Sequence, residues 1–203
     1  MKALKKIFII LETIIFLSFI IMDINNIDSS YLKYTGIILC FIYNIVSKNV
    51  ILSLALLFTL ISDYFLLLTN NHILIGLLTF IIVQLLYMYF LSTKNINNLY
   101  SIRIGLYLLL TIICIILKTN LETILALLYF SSLVMNTICS YQNKKLLIYS
   151  IGLTLFIGCD INVGLHNIMN VGTIYQIATI MMWIFYLPSQ VLISIGGNKN
   201  VES

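Results

Sequence analysis

The chain contains 203 residues, of which 61% are hydrophobic and 9% are charged, and its formal net charge is +4. Soluble domains carry about 25% charged residues, so this composition excludes a water-soluble globular protein. We therefore predict an all-α integral membrane protein in which residues 1–203 form a single membrane domain. No nucleic-acid partner is expected.

Eight apolar runs are candidates for membrane-spanning helices, since a bilayer span needs about 17–25 mostly apolar residues. Apolar and polar residues do not alternate within these runs, which excludes the strands of a membrane barrel. The runs are Ile7–Met22, Tyr31–Val46, Val50–Thr69, Ile73–Ser92, Ile102–Leu117, Leu121–Ser140, Leu146–Asn162 and Thr173–Ile195. The connections between them are short and polar. The sequence thus predicts a polytopic bundle of eight transmembrane helices.

The basic residues are distributed unevenly between the two predicted sides of the membrane. One side holds only Lys33 and Lys118. The other side holds Lys2, Lys5, Lys6, Lys48, Lys94, Arg103, Lys144, Lys145 and Lys199. Cytoplasmic loops are enriched in Lys and Arg, so we predict a multi-pass protein of the cell membrane with both termini in the cytoplasm. An even number of spans requires the same placement of the termini.

Two aspartates lie inside apolar runs, Asp63 in the third and Asp160 in the seventh. A charge at mid-membrane costs about 2.5–3.5 kcal/mol on insertion scales. Both residues fall near the outer ends of spans that cross in the same direction, so they can meet. A carboxyl group in a low-dielectric site tends to keep its proton, and two neighbouring carboxyls titrate apart. We predict an acid and base pair suited to ether or acetal hydrolysis. The alternative is a structural role in holding helices together.

Lys33 begins the second run and could pair with an aspartate or bind a phosphate group. The alternative is a lysine that extends to the membrane interface. Gln84 and Tyr87, three residues apart in the fourth run, are predicted to share a helix face. Such polar side chains suit a cavity wall, although they also suit hydrogen bonds between helices, worth about 0.6 kcal/mol each.

Tyr186 and Gln190 flank Pro188, the only proline of the chain. Proline leaves the carbonyl one turn earlier without its helical donor, so this segment also suits a cavity wall. Glu12 is a third acid within an apolar run. We expect this first span to lie at the periphery of the bundle, and the sequence offers Glu12 no evident partner. The cysteines and histidines lack metal-ligand spacing, so no metal site and no cofactor is expected.

Several of these residues occur in short motifs with a fixed order. They are Lys33, Ser62-Asp63, Gly76-x3-Phe80-x3-Gln84-x2-Tyr87, Gly152-x2-Leu155-Phe156-x2-Cys159-Asp160 and Tyr186-x3-Gln190-x-Leu192-Ile193. In length, span number and motif order the chain resembles the YhhN family of eight-span membrane proteins, which includes the lysoplasmalogenases. Gln84 stands where that family usually has histidine, and Cys159 stands where it has serine. Glutamine cannot titrate as histidine does.

The resemblance implies hydrolysis of the alkenyl ether bond of a lysoplasmalogen to a fatty aldehyde and a glycerophospho-alcohol. Asp63 and Asp160 would supply the acid and the base, and Lys33 would hold the phosphate. The side chains expected to line the substrate site are those of Gln84, Tyr87, Tyr186 and Gln190. The expected partners are a lysophospholipid substrate and membrane lipids. Two alternatives are a lipid-handling protein or proton-coupled transporter, and a structural or sensing protein. The headgroup, the chain length and the oligomeric state are left open.

Overall fold

The computed structural model describes residues 2–25, 27–69, 71–168 and 173–198, with Thr173 described by its backbone alone. Every regular element within these ranges is a helix. The α-helices are α1 (Lys2–Ile24), α2 (Ser30–Val46), α3 (Val50–Asp63), α4 (Ile73–Thr93), α5 (Tyr100–Ile116), α6 (Leu121–Ser140), α7 (Leu147–Ile168) and α8 (Thr173–Asn198). A π-helix, Tyr64–Leu68, continues α3, and a 3-10 turn, Lys144–Leu146, precedes α7.

Six helical segments of the described chain are long and apolar enough to cross a membrane. They are Lys2–Ile24, Val50–Leu68, Ile73–Thr93, Leu121–Ser140, Lys144–Ile168 and Ile174–Asn198. The remaining helices, α2 and α5, have 17 residues each. At a rise of 1.5 Å per residue, such a helix spans only about 25 Å. The all-helical membrane class is therefore confirmed, whereas the number of eight spans stays a prediction.

The outer face of α1 shows why this chain belongs in lipid. Large apolar side chains recur along it at helical spacing and remain about half exposed or more: Ile7, Ile10, Ile14, Leu17, Ile21 and Ile24. The opposite face is buried and includes Phe8, Glu12, Ile15 and Phe19. A continuous apolar stripe of this length would be a liability in water, but it matches the hydrocarbon interior of a bilayer.

The helices form two compact units. The first contains α1, α2, α7 and α8 (Met1–Asn49 and Lys145–Ser203), and the second contains α3 to α6 (Val50–Lys144). The prediction of a single domain stays a prediction. Lys199 and the C-terminus, on which part of the predicted topology rests, lie outside the described residues.

In the first unit, α7 and α8 approach closely because glycines lie between them. A Cβ atom on Gly152 would lie 2.8 Å from the Ile193 amide nitrogen and 2.9 Å from the Ser189 carbonyl oxygen. A Cβ atom on Gly196 would meet the backbone nitrogen of Tyr149. Small residues at a helix interface allow two backbones to pack directly in a membrane. The glycine at the start of the motif that ends in Asp160 is thus a packing requirement.

The seventh helix is longer than the predicted run, which ends at Asn162. It continues to Ile168 and so includes His166, a residue that would otherwise fall in a loop. The imidazole ring of His166 stacks on Tyr175 with 4.2 Å between ring centroids, and its Nδ1 atom lies 3.0 Å from the Thr179 hydroxyl. Partners on α8 therefore allow the polar end of α7 to remain helical.

Candidate functional site

The ammonium group of Lys33 is held in an ion pair within the first unit. Its Nζ atom lies 2.8 Å from Oδ2 and 3.0 Å from Oδ1 of Asp23, and the Ser29 hydroxyl donates a further hydrogen bond to Asp23 Oδ1. Only 9% of the Lys33 side chain and 15% of the Asp23 side chain are exposed. Lys33 therefore does pair with an aspartate, and this partner, Asp23, is not a member of the predicted pair.

The start of α2 that carries Lys33 is fixed by a short polar turn. Both the backbone amide and the hydroxyl of Ser30 donate hydrogen bonds to Asp28 Oδ1, at 3.0 and 2.7 Å. These bonds, the hydroxyl bond first, lower the pKa of Asp28 below its usual value. An ionised carboxylate at a helix N-terminus also complements the positive end of the helix dipole. The turn thereby determines where the first residues of α2, including Lys33, lie.

Aromatic rings connect Lys33 to the motif of α8. The Lys33 Nζ atom lies 4.8 Å from the centroid of the Trp183 ring and 5.6 Å from that of Phe19. Trp183 in turn packs edge to face against Tyr186, with 5.3 Å between ring centroids. Cation–π contacts with a partly desolvated ammonium group are worth about 1–2 kcal/mol. The structure thus brings Lys33 and Tyr186 together around Trp183.

Asp160 lies on α7 next to this aromatic cluster. The Tyr186 ring also contacts Phe156, with 5.5 Å between centroids, and Phe156 is one helical turn before Asp160. The Asp160 residue is half-buried, and its Oδ2 atom is fully buried. Because α7 continues to Ile168, Asp160 lies about two turns inside the helix rather than at its end.

Gln190 is a buried polar side chain of the first unit and lies on α8. It is 0% exposed, and neither its Oε1 nor its Nε2 atom has a hydrogen-bond partner among the residues that the structure describes. A buried amide that makes no hydrogen bond costs about 1–3 kcal/mol for each unsatisfied group. Gln190 follows Tyr186 by one turn of α8. An amide in this state is a candidate for contact with a bound polar molecule.

Asp63 is the corresponding acid of the second unit. It is 5% exposed and ends α3, where the backbone changes to the π-helix Tyr64–Leu68. The Thr69 amide donates to the Tyr64 carbonyl at 3.0 Å, five residues earlier. Such π-turns are rare and occur frequently at functional sites. The predicted continuous span Val50–Thr69 did not include this change, because an apolar run has no separate signal for it.

The π-helix packs tightly against α4. The Ser62 hydroxyl donates to the Gly76 carbonyl at 2.7 Å, and the Thr79 hydroxyl donates to the same oxygen at 2.8 Å. A Cβ atom on Gly76 would lie 2.6 Å from Cγ of Leu66, a residue of the π-helix. The serine and glycine of the sequence motifs therefore join the backbone around Asp63 to α4.

Gln84 lies at one end of a buried polar chain across three helices. Asn136 on α6 donates from Nδ2 to both the backbone carbonyl and the side-chain Oε1 of Gln84, each at 2.9 Å. The Asn136 Oδ1 atom accepts a hydrogen bond from Arg103 Nη2 at 2.9 Å, and Arg103 Nε donates to the Asn98 carbonyl. This chain orients the Gln84 amide. The Gln84 Nε2 atom is buried and has no hydrogen-bond partner in the described ranges.

The predicted site residues thus fall into two sets. Tyr87 is fully buried on the same inner face of α4 as Gln84 and Phe80, and together with Asp63 these residues form the set of the second unit. Asp160 belongs to the first unit with Lys33. The pairing of Asp63 with Asp160 therefore stays a prediction.

Sequence reasoning missed two polar partners. Asp23 is a loop residue by pattern, yet it neutralises Lys33. Arg103 is counted above among the cytoplasmic charges, yet it is 2% exposed within α5. The burial of Arg103 could have been suspected, because this residue falls within the first turn of an apolar run that also faces polar residues of α6. No comparable signal connects Asp23 to Lys33, which are ten residues apart.

Buried carboxyl groups in long apolar helices define a polytopic helical membrane protein with ionisable groups inside its membrane-spanning part. No cluster of three or more His, Cys, Asp or Glu side chains that could hold a metal ion occurs among the described residues. The YhhN family model matches residues 29–197, so the chain belongs to the YhhN family. Comparison with curated proteins found no match, and comparison with solved structures found none either.

Proposed function

We propose that this protein is an intramembrane hydrolase that cleaves the alkenyl ether bond of lysoplasmalogens. The observation that carries the proposal is the burial of Asp63, 5% exposed beside a π-helix, in a membrane protein of the YhhN family. Ionisable groups are expensive inside a membrane and are retained there mainly for function. Asp160, with its buried Oδ2 atom, supplies the second carboxyl group.

The proposed reaction consumes one water molecule and needs no redox step. A protonated aspartate delivers its proton to the alkenyl carbon farther from the ether oxygen, which gives an oxocarbenium-like cation. The other, ionised aspartate stabilises this cation and accepts a proton from the attacking water. The resulting hemiacetal loses the glycerophospho-alcohol and leaves a fatty aldehyde. The aspartate that took the proton from water then passes it to the first aspartate, which restores the acid for the next turnover.

The remaining site residues fit binding roles in this scheme. Gln190 and Gln84 both carry buried amide groups with unused hydrogen-bonding capacity, which could contact the glycerol and ether oxygens. Tyr87 and Tyr186 would border the same lipid molecule, and exposed apolar helix faces would accommodate its alkenyl tail.

Lys33 requires a specific arrangement if it is to hold the phosphate. Its ammonium group is already neutralised by Asp23, so a phosphate must either share the ammonium with this carboxylate or replace it. An ammonium group has three donors, and Asp23 occupies two of the available directions. We propose the shared arrangement, in which the third donor binds the phosphate and Asp23 keeps the lysine in place.

Turnover by the purified protein tests the proposal directly. The protein in detergent micelles would be incubated with lysoplasmalogen, and the released aldehyde would be quantified. The matched control substrate is the lysolipid with a saturated alkyl ether, which cannot form the stabilised cation and should not be cleaved. Aldehyde release only from the alkenyl ether supports the proposal. Binding of the lipid without any release would instead support the lipid-handling alternative.

A further inference from the structure

Glu12 is a buried carboxyl group that the proposed hydrolysis does not use. It lies near the middle of α1, is 3% exposed, and faces α2 and α8 within the first unit. The Cys40 thiol donates to Oε1 at 3.4 Å, whereas Oε2 is buried and has no hydrogen-bond partner among the residues described. The Glu12 side chain therefore lies on the buried face of α1, although most of this helix is exposed.

A pocket of about 150 Å³ opens beside Glu12 between α1 and α8. Apart from the glutamate, it is lined by Ile9, Thr13, Phe16, Leu187, Pro188 and Val191. Ile9 and Thr13 at its edge are exposed on the outer side of α1, the side with the apolar stripe. The pocket therefore opens toward the lipid, with one carboxyl group inside an otherwise nearly apolar lining.

Two backbone features create the space around this carboxyl group. Gly36 lies opposite Glu12, and a Cβ atom there would come within 3.3 Å of Oε2 and 2.6 Å of Leu187 Cδ1. Pro188 lies inside α8, where it cannot donate a helical hydrogen bond and so frees the carbonyl of Ile184 one turn earlier. Because α2 has no side chain at Gly36 and α8 has a proline, the carboxyl group fits between these helices in the wall of the pocket, where its Oε2 atom is closed to solvent.

Size, depth and charge restrict what the pocket can hold. A cavity of about 150 Å³ accommodates a molecule of benzene size, which is about six heavy atoms of a chain. Glu12 lies about 15 Å from the start of α1, so a charged headgroup would have to leave the interface to reach it. A phosphate in the pocket would also lie beside the Glu12 carboxyl group, and no basic side chain of the described residues pairs with Glu12 to offset the repulsion. A neutral hydroxyl group on a lipid chain meets all three restrictions.

We propose that this pocket binds a lipid chain that carries a neutral hydroxyl group far from its headgroup, and that the Glu12 carboxyl group turns from its buried position toward the pocket to bond with this hydroxyl. The headgroup stays at the membrane interface, and the chain runs along the groove between α1 and α8 to the depth of the carboxyl group. The bond satisfies the buried Oε2 atom, which is the physical reason for binding. The proposal is independent of lysoplasmalogen hydrolysis.

Labelling with dicyclohexylcarbodiimide tests the proposal on the wild-type protein. This apolar reagent modifies carboxyl groups in apolar surroundings, and the modified residue is identified by mass spectrometry of peptides. We expect labelling of Glu12, with the exposed Glu122 of α6 as the reference carboxyl group. The competing ligands are methyl ricinoleate and methyl oleate, which differ only by a mid-chain hydroxyl. Protection should require about 3- to 10-fold less methyl ricinoleate, the contribution of one hydrogen bond.

Two outcomes would overturn the proposal. Equal protection by the two esters would mean that the pocket does not recognise the hydroxyl group, and an unlabelled Glu12 would mean that the pocket is closed to lipid. Val191→Phe provides a further check, since it fills the pocket and leaves Glu12 in place. Labelling should fall in Val191→Phe but not in Ile14→Phe, which adds the same ring at an exposed position on α1.

Discussion

Asn136 binds Gln84 at two points, its backbone carbonyl and its side-chain oxygen, each at 2.9 Å. The same asparagine accepts a hydrogen bond from the buried Arg103 guanidinium. The Asn136 side chain therefore holds the Gln84 amide, a candidate for substrate contact, and also accepts one of the hydrogen bonds that the buried Arg103 guanidinium must make. The Gln84 side chain is therefore oriented by a partner on another helix.

We expect Asn136→Leu to destabilise the protein by about 1–3 kcal/mol, because it leaves an Arg103 donor and the Gln84 Oε1 atom without their partner. Thermal unfolding of the purified variant in detergent measures the effect. The matched control is Asn162→Leu, since the Asn162 amide donates to the Gly158 carbonyl of its own helix and to no other helix that the structure describes. Equal losses in the two variants would argue against a special role for the chain that ends at Gln84.

Asp63→Asn and Asp160→Asn should each reduce turnover by at least about 10²-fold, the lower limit of general acid–base catalysis. Asparagine keeps the size and hydrogen bonding of aspartate but cannot exchange the proton. The wild-type pH profile should be bell-shaped and should report the pair rather than either residue. Folded asparagine variants with nearly full turnover per molecule would reject the catalytic assignment.

The Lys33–Asp23 ion pair allows stability and substrate binding to be separated. Lys33→Gln alone should destabilise the protein by about 3–5 kcal/mol, because it leaves a mostly buried carboxylate without its cation. The double variant Lys33→Gln/Asp23→Asn should regain most of that stability. If the lysine also binds phosphate, the double variant should still show a raised KM with little change in kcat. A normal KM in the stable double variant would assign Lys33 a structural role only.

Gly152→Ala should destabilise the protein by about 1–3 kcal/mol, because the new methyl group would meet the backbone of α8 at Ile193 and Ser189. Gly164→Ala lies on the same helix, where a Cβ atom meets no described atom within 4 Å. This control should be neutral or slightly stabilising, since alanine favours a helix over glycine. Thermal unfolding of both variants checks the difference, and a tolerated Gly152→Ala would contradict the close packing of α7 and α8.

The predicted topology places both termini in the cytoplasm. With the four native cysteines replaced by alanine, a cysteine at Ser203 should resist a membrane-impermeant maleimide applied to intact cells. A cysteine at Thr119, in the predicted outer loop, should react. Labelling at Ser203 would contradict this topology and would indicate either an inverted orientation or a different number of spans.

Composition and hydrophobic pattern determine the membrane class and the positions of the helices, because apolar runs of sufficient length have few alternatives in a bilayer. They also single out Asp63, since a carboxyl group within such a run is recognisable without any structure. Helix ends follow less well. The apolar run after Asp63 does not reveal the π-helix, and the polar end of α7 is helical because His166 finds partners on α8.

Only the tertiary structure decides which polar groups meet. Lys33 pairs with Asp23, Arg103 is buried against Asn136, and Glu12 faces a pocket rather than open lipid. The physical reason is that burying a polar side chain without a hydrogen-bond partner costs free energy in whichever direction the side chain points. The sequence shows that such a cost exists, whereas the partner that offsets it comes from another helix or a neighbouring loop, brought near by packing.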